Sequence, residues 1–125
     1  MVLVIPSLVL GWKIHYDYTK PSLIVAGIKV DLGNLKMDLK KDGTFVFTNT
    51  FFIAANYNYG MYSISGDTII LDRAEIDNVI HSNKMVLKEK EVEYKDGFHK
   101  ELYLVELNAK TNDIYGDYKV VEDNR

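Results

Sequence analysis

The sequence predicts a mostly β protein, an antiparallel meander rolled into a small barrel or half-barrel, with at most one short helix near residues 73–81. Three observations carry this. Apolar and polar residues alternate with period two over many short runs, as strands buried on one face require. Turn dipeptides, Asp42-Gly43, Gly66-Asp67 and Asp96-Gly97, separate those runs. The chain also has nine Tyr and five Phe but only two Pro, a composition that suits strands and leaves few breakers.

In chain order, residues 1–11 form an apolar N-terminal segment, and 12–125 are expected to make one β domain. Met1 to Leu10 is broken by Pro6, lacks a basic start, and at about ten residues is too short to span a bilayer, which takes ~20. It reads as a strand, a short helix laid on the core, or the stub of a longer membrane anchor. Under the last reading Trp12, Tyr16 and Tyr18 would form an interfacial belt. Trp12, Ile14, Tyr16 and Tyr18 alternate with Lys13, His15 and Asp17, a strand pattern. Leu23 to Val30 reads as a strand bulged at Gly27.

Leu35, Met37 and Leu39 alternate with Lys36, Asp38 and Lys40, and Phe45 and Phe47 follow Asp42-Gly43. This predicts a hairpin whose two central residues both take positive φ. Met61 to Ile64 and Thr68 to Leu71 predict a second hairpin through Gly66-Asp67, with Gly first as a type II′ turn prefers. Asp72 and Glu75 have the spacing of a capping box, and Ile76, Val79 and Ile80 would share one helical face. Met85 to Glu93 and Glu101 to Leu107 predict a third hairpin, and a last strand is expected from about Tyr118 to Val121.

Net charge is −3 with both signs interspersed, so the basic stripe that nucleic-acid binding uses is missing. Without Cys there is no thiolate catalysis, no Cys-ligated zinc and no lipidated Cys anchor. No compartment follows; the chain reads as membrane-associated through its N-terminus or otherwise soluble.

The run Leu39-Lys40-Lys41-Asp42-Gly43-Thr44-Phe45, followed by Gly60-Met61-Tyr62-Ser63-Ile64-Ser65-Gly66-Asp67-Thr68-Ile69-Ile70-Leu71, resembles small bacterial lipocalin-like domains. Their signature is L-x-x-D-G-T-F and then G-x-Y-x-I-x-G-D-T-I-x-L. The match spans about a third of the chain and falls on hairpin and core positions. The resemblance implies a lipocalin-like barrel or half-barrel and says little about a ligand.

Catalytic constellations are not visible in the sequence. His15, His81 and His99 have no metal-clamp spacing, and neither G-x-S-x-G nor a phosphate-cradling Gly loop occurs. The reading is therefore a non-enzymatic binding domain without cofactor or metal, recognising a small hydrophobic ligand or a protein. If a cavity exists, Phe45, Phe47, Ile64, Ile69 and Leu71 are expected to line it. Asn56, Tyr57, Asn58 and Tyr59 form the first candidate surface, because Tyr supplies contact area at low entropy cost beside adaptable amides. Phe51 and Phe52 read as core. Glu89, Glu91 and Glu93 share one strand face and form the second candidate, an acidic stripe for a basic partner. That stripe supports the alternative of a protein-interaction or inhibitor module, such as a toxin-immunity protein.

Overall fold

The computed structural model describes residues 20–125. Eight antiparallel strands close into one ring: β1 (Ser22–Val30), β2 (Gly33–Lys40), β3 (Thr44–Phe51), β4 (Ala54–Ser65), β5 (Thr68–Leu71), β6 (Lys84–Tyr94), β7 (Gly97–Leu107) and β8 (Ile114–Asp123). Each strand pairs with its sequence neighbours, and β1 pairs with β8 through Ala26↔Val120 and Gly27↔Lys119. Closure removes the open edge that so apolar a meander would otherwise expose. The expected strand at Trp12–Tyr18 and the apolar segment before it lie outside the described residues.

Alternation decides what faces inward. Ile24, Ala26, Met37, Leu39, Phe45, Phe47, Ile69, Leu71, Met85, Leu87, Leu104 and Tyr118 are buried in one cluster inside the ring. Phe47 and Tyr118 meet edge to face at 6.4 Å, an arrangement aromatic rings favour. Ile64 is the exception among the expected lining residues, being 37% exposed near the end of β4.

The turns follow their residue chemistry with one adjustment. Gly66 opens the two-residue β4–β5 turn at φ 59°, as its position demands. The β2–β3 turn holds three residues, and only Gly43 takes positive φ (89°), not both central residues. Asp42 fixes this turn by accepting hydrogen bonds from the Thr44 hydroxyl (2.6 Å) and amide (3.0 Å). Those bonds, with Lys20 alongside, hold its carboxyl at about 2 against an ordinary 3.8.

A depressed folded-state value means stability that is complete above the unfolded value and is lost as pH falls through the folded one. Between about pH 4 and 2 the domain should therefore lose stability that Asp42→Asn lacks throughout. Since the side chain is 45% exposed, screening limits the difference to about 1 kcal/mol or less. Urea titrations of both proteins across that pH window measure it.

Two expectations change. The irregularities in β1 fall between Ser22 and Ile24 opposite β2 and between Val25 and Ala26 opposite β8, while Gly27 sits in regular register; a Cβ there would meet the Leu35 carbonyl oxygen at 2.9 Å. Residues 73–81 form no helix. Asp77 and Asn78 take φ of 50° and 57°, which breaks any helical run, and Ile76 pairs with Ile80 as an isolated bridge. The resulting tight loop drives both isoleucines into the core. Because β5 is only four residues long, this loop also supplies partners for the exposed edge of β4. Asp72 accepts from the Met61 amide (3.0 Å), and Arg73 Nη2 donates to the Tyr59 carbonyl (2.8 Å).

Candidate functional site

Four residues read as one recognition segment, Asn56 to Tyr59, lie on a regular strand, so their side chains part to opposite faces. Asn58 is opposite Phe47 and faces inward, where its Nδ2 donates to the Phe47 carbonyl oxygen (3.3 Å). Asn56 Nδ2 reaches Asp77 Oδ2 on the β5–β6 loop (3.4 Å). Both asparagines thus serve the fold. Tyr57 and Tyr59 face outward, opposite Thr48 and Val46.

On that outer wall the two tyrosines line a cleft of about 200 Å³ with Lys36, Asp38, Lys40 and Thr48. Its floor is polar and hydrogen-bonded. Lys40, only 2% exposed, pairs with Asp38 at 2.8 Å and donates to the Lys20 carbonyl (3.3 Å). Asp38 also accepts from the Ser22 hydroxyl at 2.6 Å. Every polar atom of the pair is thereby met, which is the condition for keeping charge out of water. Tyr57 is 52% exposed and Lys36 is also exposed, so the rim offers an aromatic ring and a solvent-facing cation over a hydrogen-bonded floor.

A second outer cleft of about 740 Å³ opens over Gly27 and shares Asn34 and Lys36 with the first. Tyr103, Asp117 and Lys119 wall it on the far side. Lys90 pairs with Asp117 and sits 4.7 Å from the Tyr103 ring centre, a cation–π distance. Lys119 meets Glu101 at 2.6 Å, which raises the ammonium and lowers the carboxyl from their ordinary values. Lys36, Tyr103 and Lys119 were not singled out in the sequence. A usable signal exists for Lys36, which alternates with Leu35 and Met37 and so takes an outward position.

Glu89, Glu91 and Glu93 are all exposed on the half of β6 that runs past the β4–β5 turn and pairs with β7 alone. They sit opposite Leu102, Lys100 and Phe98. The structure does not join them to the tyrosine cleft. Of the histidines, His81 meets Glu75 (3.2 Å) and His99 meets Asp96 (2.8 Å), at separate places. Among the described residues, no three acidic or imidazole side chains gather as a metal-binding group.

One buried acid went unnoticed in the sequence. Glu106 is 2% exposed and points inward from β7, opposite Met85. Its carboxylate accepts from the His81 amide at 2.9 Å and from the Ser82 amide, fastening the β5–β6 loop to the barrel. Burial pushes this carboxyl above its ordinary value, against the opposing pull of the backbone donors. Burial of the neighbouring Tyr118 hydroxyl, with the Glu106 charge beside it, lifts it to about 12. This pair lies within the packed core, away from both clefts.

No protein-family model, curated protein or solved structure matches this chain.

Proposed function

We propose that this chain is a non-enzymatic binding domain, built on a lipocalin-like wall, that recognises a protein partner on the outside of its barrel. One observation carries the reading. Phe45, Phe47, Ile69 and Leu71, the positions that would line a ligand cavity, are packed into a single core cluster, whereas both clefts open outward. Tyr57 at the rim of the first cleft and Lys36 between the two clefts supply the aromatic and cationic anchors that protein recognition favours.

Two measurements test this. A photo-reactive phenylalanine at position 57 should crosslink a protein partner in the native host. Tyr57→Ala should weaken that partner's binding by roughly 2 kcal/mol, as for a central anchor, with the melting temperature unchanged. Native mass spectrometry of protein purified from its source should show the bare chain mass. A retained small hydrophobe in stoichiometric amount would overturn the outside-wall reading in favour of an enclosed ligand.

The inhibitor reading has its own support in the β6–β7 arm. Glu89, Glu91 and Glu93 stand exposed there on a two-stranded projection, a shape suited to entering a basic cleft. Crosslinks confined to position 91 and absent from position 57 would favour this second mode.

A further inference from the structure

Five exposed apolar side chains, among them the fully exposed Ile53, lie together at one end of the barrel. The β1–β2 turn, Asp31-Leu32, and the β3–β4 turn, Phe52-Ile53, sit side by side: the Phe52 amide donates to the Leu32 carbonyl at 2.8 Å, and Gly33 is opposite Phe51. Backbone contact is close enough that a Cβ on Gly33 would fall 1.8 Å from the Thr50 carbonyl oxygen. The two turns therefore form one rigid tip. Val30, Leu32, Phe51, Phe52 and Ile53 are all exposed on it, Ile53 completely. Phe51 and Phe52 stack edge to face at 4.8 Å.

The fold gives no reason for these side chains. Leu32 and Phe52 take φ of 64° and 53°, left-handed values that are cheap for Gly or Asn and costly for bulky residues. The same residues thus carry a conformational cost and a solvation cost at once, and neither buries anything in the core. Such doubled costs collect where a surface meets something.

We infer that this tip inserts into the interface of a lipid bilayer. Its shape favours lipid over a protein knob-and-hole contact: the residues protrude, and neither outer cleft includes any of the turn residues. Its length fits as well, since two residues of strand and turn reach about 7 Å, within the 5–10 Å depth of interfacial burial. Behind it comes the chemistry of a headgroup layer. Lys29, Asn34 and Thr50 form the next outward row, and Lys36, Thr48 and Tyr57 the one after. Lysines suit lipid phosphates and a half-exposed Tyr suits the water–hydrocarbon boundary. Asp31 is the one charge within the two turns and sets a limit on attraction to anionic lipid. The wall itself stays in water, because its inward face is apolar and its outward face carries Lys36, Asp38, Lys40, Asp117 and Lys119, charges that a membrane-spanning barrel keeps off its lipid face.

The absence of Cys makes the test clean. The full chain is labelled with an environment-sensitive fluorophore at Ile53→Cys, or at Lys41→Cys on the β2–β3 turn at the opposite end. Each is mixed with phosphatidylcholine vesicles, with and without phosphatidylglycerol. The label at 53 should shift to the blue and be quenched by quenchers placed in the bilayer, while the label at 41 should not. In a Leu32→Asn, Phe52→Gly background, which relieves both turns and so keeps the fold, the vesicle-dependent shift at 53 should weaken roughly tenfold or more. A label at 53 that stays in water while the protein sediments with vesicles would overturn the proposal, placing contact elsewhere on the chain. A blue shift without vesicles, with a doubled mass, would overturn it in favour of a second copy docking tip to tip.

Discussion

Phe45→Ala should lower the free energy of unfolding by roughly 3–5 kcal/mol, the range for deleting a fully buried aromatic ring. Phe45 has no exposed surface and lies opposite Gly60, whose open side its ring covers. A Cβ on Gly60 would stand 2.4 and 2.5 Å from two atoms of that ring. The Arg73 guanidinium sits 5.8 Å from the ring centre while it caps the Tyr59 carbonyl. One side chain thus fills the core, covers a glycine and supports the group that serves the β4 edge. Such a loss is a large share of the 5–15 kcal/mol that ordinarily holds a domain together.

Gly60→Ala gives the same contact a sign. In the native background it crowds the ring and should cost about 1–3 kcal/mol. Beside Phe45→Ala only the approach to Arg73 Nη2 (2.9 Å), the end of a flexible side chain, remains, so the same change should cost much less. Equilibrium denaturation of the four proteins closes this cycle; strict additivity would mean the ring and the glycine do not share the space assigned to them.

Glu106→Ala should be the second severe change, at about 2–4 kcal/mol, because it takes the acceptor from the part-buried amides of His81 and Ser82 and leaves a gap in the core. Glu106→Gln keeps a carbonyl acceptor and should cost much less near neutral pH. The pH dependence separates the two roles. Burial raises the folded-state value above the ordinary 4.5, so the native state holds this proton more tightly than the unfolded chain. Stability from this group is fully present below about 4.5 and declines as pH rises through the raised value. Glu106→Gln should flatten that decline. Hydrogen exchange in residues 72–83 should quicken in Glu106→Ala ahead of exchange elsewhere, since that loop loses its fastening first.

How much of this was legible in the sequence follows from which rules are local. Gly66-Asp67 and Lys95-Asp96-Gly97 reverse the chain where turn chemistry says they must, and the inward residues of β2 and β3 alternate as written. Strand β4 was longer than its apolar part suggested. It begins at Ala54 because Asn56 and Tyr57 complete a ladder with β3 despite their mixed character. The capping-box spacing of Asp72 and Glu75 failed because the Asp72 carboxylate is taken by the Met61 amide and Arg73, partners supplied by the fold.

The candidate sites were harder to read because they depend on faces. Tyr57 and Tyr59 were visible as residues, but period two assigns them to a different side from Asn56 and Asn58. Glu106 stands between Val105 and Leu107 in an apolar strand, on the inward parity of Leu102 and Leu104. An acid at that position could have been marked as buried from alternation alone. Phe51 and Phe52 read as core because they are aromatic, yet they end a strand at a two-residue turn, where side chains leave the sheet. The histidines and the Glu89–Glu93 run depend on long-range placement, which no local rule supplies.

Whether the barrel interior is filled decides where anything can bind. Xenon pressurisation monitored through methyl resonances addresses it, since xenon enters dry apolar voids and shifts the methyl groups that line them. The methyls of Leu39, Ile69, Leu71 and Leu104 should stay unmoved at pressures that perturb exposed groups such as Ile53. Saturable shifts confined to those four interior residues would reveal an open lumen and contradict a domain that binds from its outer wall.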